Sequence, residues 1–185
     1  RRHTRYWRDW SSDVCSSDLE SICLHHGAKM VTTLEYGAIH SEHPRIRTET
    51  PDTFRAKYLN GTLDEFDAVV THSSLEHSGL GRYGDALNPW GDVLAVARAW
   101  CVTKPGGLLW LGIPTGRDMV FYNWHRVYGK VRWPLIAANW NITENTKHAV
   151  GGMHPEIPMT AKLQQGPFKS MKNDGFLFEK ISVTT

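Results

Sequence analysis

Three stretches of the chain combine residue types that do chemistry. The first is Glu35, an acid that closes a short β-rich run at 30–35. A carboxylate at the carboxyl end of a strand commonly accepts the ribose hydroxyls of a nucleotide-like ligand; an exposed glutamate ending a strand is the equally simple alternative. The second is the loop at 71–85, THSSLEHSGLGRYGD. His77 suits a general base near neutral pH, and Glu76 beside it either orients it or caps a helix. Tyr83 and Asp85 lie in the same loop and are candidate substrate contacts, the alternative being a self-bonded loop with an Arg82–Asp85 ion pair. The third is NWHRVYG at 123–129, where Arg126 has the fork to grip a carboxylate or phosphate, His125 adds a polar ring, and Trp124 and Tyr128 can stack. A lid helix of packed aromatics fits that string as well.

Gly79, Gly81 and Gly84 also spell G-x-G-x-x-G, yet the string starts well past a strand and does not run into a helix, as a dinucleotide loop requires. Ten histidines raise a metal question. No pair has the i, i+4 spacing of a helical zinc motif, and the three cysteines are scattered, so no metal is expected.

The elements that must hold these groups are legible in outline. Residues 21–26 end a helix closed by Gly27. Residues 45–48 form a further short strand, and Thr50-Pro51-Asp52 starts a helix with Thr as its cap. Phe66 to Val70 is a compact apolar run of the kind buried on both faces. A helix opens at Pro89, with Val93, Leu94, Ala97, Trp100 and Cys101 on its apolar side. Residues 104–107 end it, and 108–113 form the most apolar strand. Alternation of helix and strand at this spacing predicts an α/β fold, a Rossmann-like parallel sheet with crossover helices. Its centre is expected at 31–35, 66–70 and 108–113, with the candidate site at their carboxyl ends. Beyond Trp140 the pattern weakens, leaving 141–185 uncertain apart from a closing strand expected at 175–183.

At 185 residues the chain is the size of one domain. A net charge of +2 gives no electrostatic argument for nucleic acid or a membrane surface, and no apolar run is long enough to span a bilayer. A cytoplasmic protein acting on a small molecule is the expectation, with no nucleic-acid or membrane partner.

Phe66-Asp67-Ala68-Val69-Val70, then Ser74-Leu75-Glu76-His77, then Lys104-Pro105-Gly106-Gly107-Leu108 is similar to the second half of class I S-adenosylmethionine-dependent methyltransferases. More specifically, VTTLEYG, EHPRIRTETP, FDAVVTHSSLEHSGLGRYGDALNPWGD, KPGGLLWLGIP and NWHRVYG resemble domain-of-unknown-function family 268, a methyltransferase-like family, over about 20–140. The resemblance implies S-adenosylmethionine as cofactor. Glu35 then takes the place of the ribose acid, and Thr71, Ser73 and Ser74 flank the methionine portion. Glu76 and His77 match a Leu-Glu-His of the family and are the candidate catalytic residues, leaving Tyr83, Asp85, His125 and Arg126 for the substrate. Residues 1–19 resemble a translated sequencing-adapter read and are expected to pack against nothing. The cofactor's glycine loop would belong where they stand, so 20–140 is expected to be a partial domain that binds the cofactor poorly or not at all. A non-catalytic nucleotide-fold binding module and a nicotinamide-dependent oxidoreductase are the alternatives.

Overall fold

A computed structural model describes residues 16–142 and 172–181, with side chains described over 19–142 and 177–181. Residues 1–15 of the expected tail, and most of the uncertain stretch at 141–174, lie outside them. The chain divides into two compact units, at 1–64 and 65–185.

In the first unit, helix α1 (Ser16–His25) is followed by strands β1 (Val31–Leu34) and β2 (Ile46–Glu49) and helix α2 (Pro51–Leu59). Four residues of the expected tail, 16–19, are thus helical and continuous with 20–25. Gly27 adopts φ 96°, the left-handed conformation expected just past a helix end. β1 and β2 pair in parallel, Val31 opposite Ile46. Thr50 caps α2: its hydroxyl accepts from the Thr53 amide, and the Thr53 hydroxyl accepts from the Thr50 amide, a reciprocal capping box. Pro51 fits the first turn because its missing N–H is not needed there. No residue of α2 is buried.

The second unit holds β3 (Phe66–His72), a 3₁₀ turn (Leu75–His77), α3 (Gly91–Val102), β4 (Thr103–Thr115), β5 (Met119–Val120), β6 (Arg126–Val127), α4 (Trp133–Ile136), β7 (Trp140–Ile142) and β8 (Lys172–Lys180). Its main sheet has the order β3-β4-β8-β7. β3 and β4 are parallel, whereas β8 is antiparallel to both β4 and β7. The α/β class therefore stands, but the parallel sheet expected throughout does not: this sheet is mixed, and β1 lies in a separate two-stranded sheet. The reason is physical. An apolar run demands a covered face, while its ladder groups are satisfied by a neighbour of either direction.

The core forms where Leu109, Leu111 and Ile113 of β4 alternate onto one face and meet Phe178, Val96, Leu75, Tyr128, Ile136 and Trp140. Trp133 and Trp140 approach Phe178 at ring distances of 5.9 and 6.5 Å. Two details correct the pattern reading. The buried side of α3 carries Val96, with Val93, Ala99 and Trp100 packed against the core; Leu94, Ala97 and Cys101 face outward. β3 is not buried on both faces either, for Val70 is 39% exposed. Among the described residues β3 is the edge strand of its sheet, paired with β4 alone. Strand β4 begins at Thr103, taking in the Lys104–Gly107 segment read as a helix stop, and β8 begins three residues before the expected 175.

Candidate functional site

The site grows from the carboxyl end of β3. The chain leaves the ladder at Ser73, whose amide still donates to the Gly112 carbonyl of β4. Ser73 adopts φ 47°, a region costly for a residue with a Cβ, and this turns the chain sharply into the 3₁₀ segment. The turn sets the Ser73 hydroxyl to donate to Glu76 Oε1 at 2.9 Å.

Glu76 is 1% exposed, and its Oε2 has no hydrogen-bond partner among the described residues. Removal from water disfavours the charged form, so its carboxyl is pushed up to about 7. His77 follows directly. Its Nδ1 donates to the Trp124 carbonyl, which fixes the tautomer and leaves Nε2 as the basic nitrogen, 3.6 Å from Glu76 Oε1. Burial pulls the His77 pKa below its ordinary value, partly offset by that carbonyl. His77 sits edge-on to Tyr83 at 5.7 Å and to His125 at 6.2 Å. His125 is buried, and burial together with His77 and Arg82 lowers it to about 4.

The remaining expected residues act differently. Arg126 is 1% exposed. Its Nη1 donates to the carbonyls of Ser78 (2.6 Å) and Glu76 (3.3 Å), and its Nη2 to that of Asn88 (3.2 Å). Its Nε lies 3.7 Å from Asp92. It holds the loop together. Asp85 is also inward-looking: Oδ2 accepts from the Gly79 amide at 2.6 Å and Oδ1 from the Tyr83 amide at 3.3 Å. Thr71 remains in β3 opposite Leu111, and Ser74 opens the 3₁₀ turn, its carbonyl accepting from the His77 amide. Glu35 follows β1 directly in the first unit, partly buried, with its amide donating to the Glu49 carbonyl. Burial and the nearby Glu20 raise its pKa, against the Tyr36 amide that lowers it.

Asp92, Asp118 and Arg132 were missed by sequence reasoning. Asp92 is fully buried and accepts from the Tyr128 hydroxyl (3.0 Å) and from Arg132 Nε (2.7 Å). Asp118 accepts from the amides of Gly129, Val131 and Arg132 and so fixes the start of α4. An acid in the first turn of α3 was the one available signal for Asp92; Asp118 carried none. Gly79 holds φ 76°, and a Cβ there would stand 2.2 Å from the Asn88 carbonyl oxygen. Gly79 thus serves close backbone packing within the loop, while Gly81 and Gly84 supply positive φ. NWHRVYG is a turn and the short strand β6, in place of the lid helix. Among the described residues no three His, Cys, Asp or Glu side chains gather to hold a metal ion, and no helix is long and apolar enough to cross a membrane.

An α/β unit with a polar loop folded over the carboxyl end of a parallel strand defines a candidate ligand-binding domain. Residues 14–174 match the family described as "Caenorhabditis protein of unknown function, DUF268", and the chain belongs to that family. The match takes in α1 and six residues of the stretch at 1–19. No curated protein matches the chain.

Proposed function

We propose that this is an S-adenosylmethionine-dependent methyltransferase-like domain acting on a small molecule. The observation that carries the reading is the strand order of the second unit, in which β8 returns antiparallel between β4 and β7 beside the parallel β3–β4 pair. That reversed strand resembles the sheet of class I methyltransferases. A nicotinamide-binding sheet is mostly parallel, so the same feature disfavours the oxidoreductase reading.

The groups present fit the cofactor in kind. Each unit is taken by itself: in the first, Glu35 offers a carboxylate suited to a diol just after β1, and in the second, Thr71, Ser73 and Ser74 offer backbone and hydroxyl groups at the end of β3. When bound, the cofactor supplies a sulfonium methyl group. The chain's own part is positioning and proton handling. His77 Nε2 takes a proton from the acceptor's hydroxyl or amine, while Nδ1 stays anchored on the Trp124 carbonyl. Glu76 Oε1 lies 3.6 Å from Nε2, so the two groups titrate as a pair. Tyr83 and His125 flank the base as substrate contacts, and Asp85 and Arg126 hold the loop in place. No glycine-rich strand-to-helix loop precedes Glu35 among the described residues, so weak cofactor affinity is expected.

Titration with S-adenosylhomocysteine and with NAD, followed by amide chemical shifts, tests the proposal. Weak saturable binding of S-adenosylhomocysteine without NAD binding is expected. NAD preference selects the oxidoreductase, and binding of neither selects a non-catalytic module.

A further inference from the structure

We propose that Arg126 is the positioning residue of the base. Its guanidinium fixes the backbone on both sides of His77 while the Trp124 carbonyl holds the ring, and together they select the neutral form with the proton on Nδ1. The inference rests on the site reading above and deepens it by naming what aims its base.

The segment that carries His77 has little rigidity of its own. A 3₁₀ turn has poorer hydrogen-bond geometry than an α-helix. Here it spans three residues, held by the His77 amide on the Ser74 carbonyl and the Ser78 amide on the Leu75 carbonyl, both at 3.1 Å. It opens after Ser73 at φ 47° and is followed by Gly79 at φ 76°. A side chain on such a turn keeps one geometry only when neighbouring groups hold it there.

Arg126 supplies that hold. The carbonyls of Glu76 and Ser78, one on each side of His77, converge on Nη1 at 3.3 and 2.6 Å. Nη2 takes the Asn88 carbonyl at 3.2 Å, and Nε faces Asp92 at 3.7 Å, so every arm of the guanidinium is engaged by the protein. Arg126 and Asp92 are 1% and 0% exposed, which makes the arrangement costly to disturb. The same stretch of chain grips the ring. Trp124 stands two residues before Arg126, and its carbonyl meets His77 Nδ1. A carbonyl only accepts, so Nδ1 donates and the neutral ring keeps Nε2 as its acceptor.

The task is specific to arginine. A planar fork serves the carbonyls of 76, 78 and 88 together, whereas a lysine ammonium is a single point on a flexible stem. Lysine at 126 therefore keeps the charge opposite Asp92 and gives up the grip.

The ring nitrogens of His77 give the test, recorded on the isotope-labelled full chain at a pH where imidazole is neutral and assigned by their absence from His77→Asn. The wild type is expected to show two widely separated resonances, from a protonated Nδ1 and a bare Nε2. In Arg126→Lys they should converge, as the ring exchanges between its two neutral forms. Arg132→Gln is the control for stability alone. Arg132 also pairs with Asp92 and with the Pro89 carbonyl, but among the described residues its bonds do not reach 76 or 78. That variant should lower the urea midpoint and leave the His77 nitrogens in place. A wild-type ring that is mixed, or protonated on Nε2, overturns the inference without recourse to any variant. Unchanged His77 nitrogens in Arg126→Lys, or an equal change in Arg132→Gln, overturn it as well. Binding of S-adenosylhomocysteine is read separately: its absence from a wild type with the expected ring removes the methyl-transfer reading alone, and its presence with the other tautomer removes this inference alone.

Discussion

Glu76 Oε1 and His77 Nε2 face each other at 3.6 Å, and burial drives the two groups in converging directions, the acid up to about 7 and the imidazole below its usual value. Their usual order is thereby inverted, and a range of pH opens in which both are neutral. A buried acid–imidazole pair in that state avoids the cost of an isolated buried charge and still offers a basic nitrogen.

The pair predicts a pH dependence of stability. Glu76 has a higher pKa in the folded protein than its ordinary 4.5, so the folded state binds the extra proton. Its contribution is fully present below pH 4.5 and is lost as pH rises through about 7. Urea unfolding at pH 5 and pH 8 should therefore show roughly 2–3 kcal/mol more loss in the wild type than in Glu76→Gln, whose amide does not titrate. Equal loss in both proteins would remove the buried acid from this role. His77 works in the opposite direction: its lowered pKa costs stability as pH falls through it, in both proteins alike.

The proposed catalytic role of His77 separates from its loop contact through one substitution. His77→Asn keeps a donor near the Nδ1 position for the Trp124 carbonyl and removes Nε2. Turnover should fall ~10²–10⁴-fold in both His77→Asn and His77→Ala if Nε2 is the base. Retained turnover in His77→Asn would leave His77 as a loop anchor.

Glu35→Ala should weaken S-adenosylhomocysteine binding roughly tenfold or more, through loss of hydrogen bonds to a charged acceptor. Calorimetry or shift titration of both proteins measures this. An unchanged affinity takes Glu35 out of the cofactor site.

Asp92 is the buried counter-charge for Arg132 and lies 3.7 Å from Arg126 Nε. Asp92→Ala should cost about 3–5 kcal/mol, since it strands positive charge in the interior. Tyr128→Phe, which removes one hydroxyl donor to the same carboxylate, should cost only about 1 kcal/mol. Urea midpoints that rank these two in the other order would contradict the clamp.

Gly79→Ala should destabilise by about 2–4 kcal/mol, combining left-handed backbone strain with a clash against backbone. Gly84→Ala shares the positive φ but meets no atom within 4 Å, so it should cost only the strain. The difference between their unfolding free energies isolates the close packing.

The sequence by itself determined the local signals. The Thr50 cap, the Gly27 helix end, the apolar strand at 108–113 and the polar loop at 71–85 are each written in adjacent residues, because caps, turns and apolar runs depend on neighbours a few positions away. It also placed Glu76, His77 and Tyr83 in one loop, because they are near one another in the chain, whereas His125 meets His77 only in the fold. What the tertiary structure decided is pairing and allegiance. The direction of β8 depends on how a distant segment returns, which no apolar pattern encodes. Whether a guanidinium meets ligand or protein is equally non-local: Arg126 answers to carbonyls 37–50 residues away. The face of α3 turned inward was also settled there, because periodicity gives the width of an apolar stripe while packing against Leu109, Leu111 and Ile113 selects the side that is buried.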